Sequence, residues 1–525
     1  MPKRWSGQTL SRRRLLIGAG EALGGSVGLL LLGPGNPARS VQPGQSRVFP
    51  ADPAGSTAVA PDHRFPLKAS ANGRYLVDQA GMPFRIQGDS AQSLIANLTL
   101  AEAETYLSDR QSKGFNTINV NLLEHKFAVH APANRQGVPP FTTAGDFSTP
   151  NEPYFAFADQ VIDLAASKQM AVSLAYMYLG YGGGDEGWWA DLNAPPNNAS
   201  VCFEFGRYIG RRYKDRSNVF FVVGGDMLPS PGSEGETRLR RIFDGLRDAG
   251  ASQLQAGDWD APCLSTDEPA FAADLGLNAV YTYGPGKNGA TYTEARAAFD
   301  RSPAIPAYLK ETGYEAERWI AGDPASIRKY EYWAILSGAT AGGFYGHRDI
   351  WGFATDSWWS GFGFGHQRWE QSLDAPGAFD WQRLGALLDG LPWYDLVPSG
   401  AAGAKELIVD GRGTWGGDDY VASAATADGA AALAYLPPTA AATRAISVDL
   451  SVLKGTVEAQ WFDPSTGAYS SIGSIPSSGV KRFVTPGKNG GGAGDWVLRL
   501  ESTDRPRSLQ PGPRIVGVSK DGPRN

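Results

Sequence analysis

Two textures alternate along the chain between residues 65 and 393: apolar runs of strand length, and longer stretches whose apolar residues recur every three to four positions. Residues 83–89 read as a first strand and 100–113 as the helix after it, stopped at Gly114. The pair repeats at 115–122 and 154–168. Residues 170–175 form a third buried strand, 202–213 a helix with a basic C-terminal end, and 219–223 a fourth strand. Further strands at 252–256, 279–283, 307–309 and 342–345 bring the series to about eight units, with helices between several of them. This alternation predicts an α/β fold, a closed (β/α)8 TIM barrel rather than an open doubly wound sheet. No Gly-x-Gly-x-x-Gly fingerprint follows the first strand, which disfavours a dinucleotide fold.

After residue 393 the helical period disappears. Short apolar runs at 420–424, 431–436, 459–462 and 496–500 stand between Gly, Pro, Asp and Ser turns, predicting a smaller all-β antiparallel sandwich. At the other end, Ser11-Arg12-Arg13-Arg14 opens a largely apolar stretch that breaks at Gly33-Pro34-Gly35, in the manner of a twin-arginine signal. Glu21 and several glycines interrupt that stretch, so a signal fits better than a stable membrane span. The expected plan is a signal region at 1–40, a disordered leader at 41–64, the barrel at 65–393, the sandwich at 394–502 and a disordered tail at 503–525. Its corollary is a secreted or periplasmic protein.

A length of 525 residues with 42% hydrophobic content suffices for two folded units with tails. A net charge of −6 offers no basic stripe, so nucleic acid is not an expected partner. Cys202 and Cys263 are far apart and lack Cys-x-x-Cys spacing, and no His-Glu-x-x-His occurs, so neither a metal nor a cofactor is expected. One disulfide bridge and two buried thiols are both compatible with that pair. Fifteen tryptophans suit core packing and sugar platforms alike.

The candidate chemistry lies where apolar strands end in acids. Phe220-Phe221-Val222-Val223 runs into Gly224-Gly225-Asp226, and Ala307-Tyr308-Leu309 into Lys310-Glu311. In a barrel both strand ends open onto the C-terminal rim. Two carboxylates there suit hydrolysis of a glycosidic bond in a carbohydrate substrate. The glycines before Asp226 leave room for close approach. Glu315, in the same loop as Glu311, is the alternative second acid. Asp89, Asn119, Asn121, His125, Tyr283, Tyr314 and His347 lie at or just after predicted strand ends, where they could bind sugar hydroxyls. His125 and His347 read equally well as partners of backbone groups. The Trp188-Trp189 and Trp358-Trp359 pairs are candidate stacking platforms.

Taken in order, Gly88-Asp89-Ser90, Asn151-Glu152-Pro153-Tyr154-Phe155, Arg212-Tyr213-Lys214-Asp215-Arg216, Gly224-Gly225-Asp226, Glu311-Thr312-Gly313-Tyr314-Glu315, Gly342-Gly343-Phe344-Tyr345-Gly346-His347 and Trp461-Phe462-Asp463-Pro464 resemble the apiosidase-like glycoside hydrolases. That family joins a (β/α)8 catalytic domain to a C-terminal sandwich named for collagen binding, and the resemblance spans residues 65–502. It implies a retaining hydrolase of glycan or polysaccharide side chains, with Asp226 as general acid/base and Glu311 as nucleophile. Hydrogen bonds or a nearby tyrosine such as Tyr283 would keep that nucleophile charged. Two departures stand out. Asp89-Ser90-Ala91-Gln92 lacks the tryptophan of the family's usual Asp-Thr-x-Trp, and Gly-Gly-Asp replaces the Asn-Glu of many related barrels. The rival class is a non-catalytic glycan-binding or adhesive surface protein, which has no need of both acids.

Overall fold

The computed structural model describes residues 63–504 apart from 285, 288, 318–323 and 359–365. The signal region, nearly all of the leader, the tail from residue 505 and Trp359 lie outside the described residues.

Eight parallel strands form the barrel: β1 Ile86–Ser90, β2 Thr117–Asn121, β3 Ala171–Ala175, β4 Val219–Gly224, β5 Gln255–Asp258, β6 Asn278–Tyr281, β7 Ala307–Glu311 and β8 Gly342–Tyr345. Burial is complete along every strand except at Glu311, the near-continuous pattern of a sheet covered on both faces. A continuous ladder runs from β5 through β4, β3, β2, β1, β8 and β7 to β6. Between β5 and β6 the ring is closed by Gly276 N and Leu277 N, which donate to Gln255 O at 3.0 and 3.1 Å, and by one hydroxyl. Ser265 Oγ accepts from Gly257 N at 3.0 Å and Ala279 N at 2.7 Å, and donates to Gly257 O at 2.6 Å. It thereby satisfies backbone groups of both strands that a ladder would otherwise have paired.

Around the ring stand α1 Leu100–Ser112, α2 Glu152–Ser167, α3 Ala199–Tyr213, α4 Glu234–Asp248, the single turn α5 Pro269–Ala272, α6 Ala290–Asp300, α7 Pro324–Leu336 and α8 Pro376–Asp389. Local chemistry starts several of them: Thr99 and Glu102 form a capping box on α1, and the side chains of Asn198 and Ser233 cap α3 and α4. Within the barrel, Ile86, Ala171, Phe220, Val222, Tyr308 and Phe344 form an apolar plug, continued by Leu76 and Phe84. Leu76 and Phe84 belong to a small antiparallel sheet of Lys68–Ala69, Leu76–Val77 and Pro83–Phe84. The run 83–89 is therefore not one strand. It splits at Arg85, whose guanidinium turns out to Gly385 O and Asp389, so only its second half enters the barrel. Strand β5 also lies later than the 252–256 expected, because its closing Gly257-Asp258 carries no apolar signal.

The second region contains β9 Leu396–Pro398, β10 Ile408–Asp410, β11 Ala422–Thr426, β12 Ala431–Leu436, β13 Ala445–Asp449, β14 Thr456–Phe462, β15 Tyr469–Pro476, β16 Val480–Val484 and β17 Trp496–Ser502. One antiparallel sheet has the order β9-β11-β12-β17-β14-β15, the other β10-β13-β16. Val448, Val457, Trp461, Phe483 and Leu498 are part of their shared core. Helix α7 docks on this region: Tyr332 stacks on Tyr435 with ring centroids 4.7 Å apart, and Trp333 Nε1 donates to Tyr420 O at 2.8 Å. Cys202 and Cys263 are two separate buried thiols. Among the described residues no helix is long and apolar enough to cross a membrane.

Candidate active site

Asp226 leaves β4 through a turn that only glycines permit. Gly224 and Gly225 have φ of +92° and +110°, and Asp226 itself +45°. A Cβ on Gly224 would lie 2.2 Å from Asp258 O, and one on Gly225 2.7 Å from the Tyr178 ring. Asp is among the few non-glycine residues that tolerate the left-handed conformation, and the turn delivers its carboxylate to two phenols. Tyr178 Oη donates to Oδ2 at 2.6 Å, and Tyr281 Oη donates to Oδ1.

Glu311 closes β7 and is the one strand residue of the barrel that is not fully buried. Its backbone pairs with Tyr281, and Thr282 N donates to Glu311 O at 2.9 Å. Tyr281 thus has its main chain against one acid and its hydroxyl on the other, which brings Asp226 and Glu311 to the same rim. Beside Glu311 lies a buried cation. Lys310 Nζ is 3.1 Å from Asp258 Oδ2 and 3.9 Å from Glu311 Oε2. Burial alone would lower the Lys310 ammonium, but Asp258, Glu311 and Asp226 outweigh it and the net direction is upward. Asp258 is raised by its burial, with Lys310 opposing and Asp226 adding to the rise.

The neighbouring loops complete the rim. Tyr314 is buried, and its phenol is raised well above its ordinary range by burial and then by Glu311. Gln92 Nε2 donates to Tyr314 Oη at 2.6 Å, and Trp351 lies nearly parallel to the Tyr314 ring at 6.4 Å. The position of the family's usual tryptophan therefore holds an amide that orients a tyrosine. Tyr283 Oη donates to Glu317 Oε1 at 2.7 Å, and Tyr314 N donates to Glu317 Oε2 at 3.1 Å. The hydroxyl of Tyr283 accordingly turns toward Glu317, two residues beyond Glu315.

The remaining expected residues divide. Asn119 accepts from Ser173 Oγ at 3.1 Å across β2 and β3, and Asn121 donates to Glu124 Oε2 at 3.3 Å. His347 follows β8; its Nδ1 accepts from Asp349 N at 3.1 Å, and burial pushes it down to about 4, so the ring is neutral at pH 7. His125 contacts Asp191 Oδ2 at 3.1 Å and Asp185 O at 3.0 Å, and Asp191 raises its pKa.

Asp89 is not brought to the rim. It is fully buried toward α1, accepting from Tyr106 Oη at 2.7 Å and facing Arg110 Nε at 3.4 Å, and burial pushes it up to about 6. Trp188 is no platform, for only 2% of it is exposed and it packs on Phe141, Phe147 and the edge of His125. Trp189 and Trp358 are half-buried. Glu315 faces away from the pair of acids: its Oε2 accepts from Tyr345 Oη at 2.6 Å and from Gly377 N at 3.0 Å in the first turn of α8. Burial lifts it to about 7.

Sequence reasoning missed Tyr178, Tyr281, Asp258 and Lys310. Tyr281 and Lys310 lay inside the runs already singled out, and two-residue alternation from Tyr308 would have turned Lys310 into the barrel. Tyr178 and Asp258 carried no such signal. Among the described residues no group of three or more His, Cys, Asp or Glu is arranged to hold a metal ion.

The family profile described as "Apiosidase-like, catalytic domain" matches residues 70–395, and "Putative collagen-binding domain of a collagenase" matches residues 404–501. A solved structure described as "Glycoside hydrolase" superposes with a TM-score of 0.72 at 21% identity, covering 85% of this chain and 98% of its own. A glycoside hydrolase family 5 protein from Bacteroides vulgatus ATCC 8482 gives 0.71 at 21% identity, covering 85% of this chain and 96% of its own. At such identities the likeness speaks for the fold alone. No curated protein matches the chain.

Proposed function

Because this chain belongs to the apiosidase-like family of glycoside hydrolases, we propose that it cleaves glycan or polysaccharide side chains with retention of anomeric configuration. In the first step Glu311 attacks the anomeric carbon while the glycosidic C–O bond breaks and Asp226 passes its proton to the departing oxygen. In the second, water attacks the glycosyl ester, gives its proton to Asp226 and releases the Glu311 carboxylate. Tyr178 and Tyr281 keep Asp226 aimed during both transfers. The observation that carries this reading is Tyr281, paired through its backbone with Glu311 and bonded through its hydroxyl to Asp226.

Azide rescue tests it. With an activated aryl glycoside chosen from a panel of furanosides and pyranosides, E311G plus azide is expected to yield a glycosyl azide of inverted configuration, and D226A plus azide one of retained configuration. Near-normal turnover by E311Q together with loss in E315Q would overturn the assignment. A wild-type protein that binds glycan but releases no aryl group from the panel would favour the non-catalytic adhesive class. The Ser11-Arg12-Arg13-Arg14 signal supports a secreted or periplasmic location reached by twin-arginine export. Cell fractionation of R12K/R13K checks this, with cytoplasmic retention the expected result.

A further inference from the structure

The barrel interior changes character along its axis. Its plug is apolar up to Tyr308 and Phe344, yet the next inward residue of β7 is Lys310, whose side chain is only 4% exposed. A lysine so placed must have its ammonium neutralised, since an isolated buried charge is strongly disfavoured. The groups that face it come from three elements. They are Asp258 at the end of β5, Glu311 on β7 and Asp226 from the turn after β4. Tyr308 and Cys263 lie within the field of Asp258, and both are raised by burial and then by that carboxylate, so neither supplies a competing anion near neutrality. Asp260, facing Asp226 and Lys287, borders the same cluster. One cation therefore stands among three carboxylates, and Asp258 Oδ1 is buried without a hydrogen-bond partner.

We propose that Lys310 is a positioning residue that shares its charge between Asp258 and Glu311, and so keeps the nucleophile ionised beside an acid that must carry a proton. Retaining hydrolysis needs opposite protonation states on two neighbouring carboxyls. A fixed ammonium 3.9 Å from Glu311 Oε2 supplies that bias without touching the substrate. Asp258 fixes the ammonium in place and, by drawing on the same charge, limits how strongly Glu311 is held anionic.

The inference rests on Glu311 being the nucleophile, and its test is separable from the test of that assignment. The acid limb of kcat/KM against pH, measured with an aryl glycoside, reports ionisation of the free enzyme's base. In K310M the limb is expected to move up by about 1–3 pH units, the effect of losing an opposite charge at this range, and K310R is expected to restore most of it. In D258N it is expected to move the other way, down, because the ammonium is left to Glu311 alone. A merely structural role for Lys310 would lower activity without moving the limb in opposite directions. An unmoved limb in K310M, or an upward or absent shift in D258N, would overturn the proposal. If K310M does not fold, K310Q is measured by the same criterion, because D258N alone would lower the limb merely by removing a neighbouring negative charge. A failed azide rescue of E311G sinks the nucleophile itself, whereas successful rescue with an unmoved limb sinks only the role of Lys310.

Discussion

The protein buries two clusters of opposite charge, and they are built on different accounts of balance. At the junction of barrel and sandwich, Arg328 forks onto Asp495 with contacts of 3.0 and 2.9 Å and reaches Asp380 Oδ2 at 2.6 Å, while Arg383 holds the other oxygen of Asp380 at 2.8 Å. Tyr435 and Asn489 donate further to Asp495 at 3.1 and 2.8 Å. Two guanidiniums meet two carboxylates, and every carboxylate oxygen is bonded. The neighbouring Glu331 is pushed well above its usual range by burial. At the rim, by contrast, one ammonium faces Asp258, Glu311 and Asp226. A balanced, fully bonded cluster locks two elements together. An anion-rich one leaves carboxylate charge uncompensated, the kind of surroundings in which perturbed titrations gather at functional sites.

Five substitutions would break or sharpen that contrast. The largest is at the rim, where E311Q is expected to abolish turnover and D226N to lower kcat by about 10²–10⁴-fold, the usual worth of a positioned general acid. Both variants should keep the wild-type melting temperature, checked by calorimetry beside aryl-glycoside kinetics. The converse holds at the junction. R328M strands Asp495 and Asp380 and is expected to cost about 3–5 kcal/mol in urea unfolding, with kcat of the folded enzyme unchanged. Y281F removes one of the two phenol bonds to Asp226, worth about 0.5–1.5 kcal/mol, so kcat/KM should fall roughly 2- to 10-fold with little effect on unfolding.

The smallest effect is expected from E315Q, which keeps turnover but changes how stability depends on pH. Burial raises Glu315 from 4.5 to about 7, so its contribution is complete below pH 4.5 and is lost as pH rises through about 7. Replacing it should flatten the melting temperature across that window. A kcat loss in E315Q comparable to that of E311Q would erase the distinction between the two acids.

The alternation of strands and helices was legible because burial on both sheet faces imposes apolar runs, and helices resting on a sheet impose a 3.6-residue period. Hence helices α1 to α3 and strands such as β8 and β12 fall within a few residues of expectation. Register inside those runs was harder to read. Residues 83–89 look uniform in sequence, yet Arg85 turns out to Asp389 and divides them between two sheets. Residues 252–256 suggest a strand, but β5 ends in Gly257-Asp258, where hydrogen bonding through Ser265 rather than hydrophobicity sets the element.

Asp226 and Glu311 could be picked out from sequence because an acid after a buried strand is a local pattern, and a closed ring of parallel strands places all such ends on one rim. What surrounds them could not. Asp89 also ends a buried run, but strand parity turns it to Tyr106 and Arg110, and Glu315 shares a loop with Glu311 yet caps α8. Tyr178, Tyr281, Asp258 and Lys310 come from four separate segments, brought together only when the barrel closes. Local backbone pattern is a property of neighbours along the chain, and it set the elements and their polarity. Which side chains share a low-dielectric space depends on parity, turn angle and ring closure, and that was decided by the tertiary fold alone.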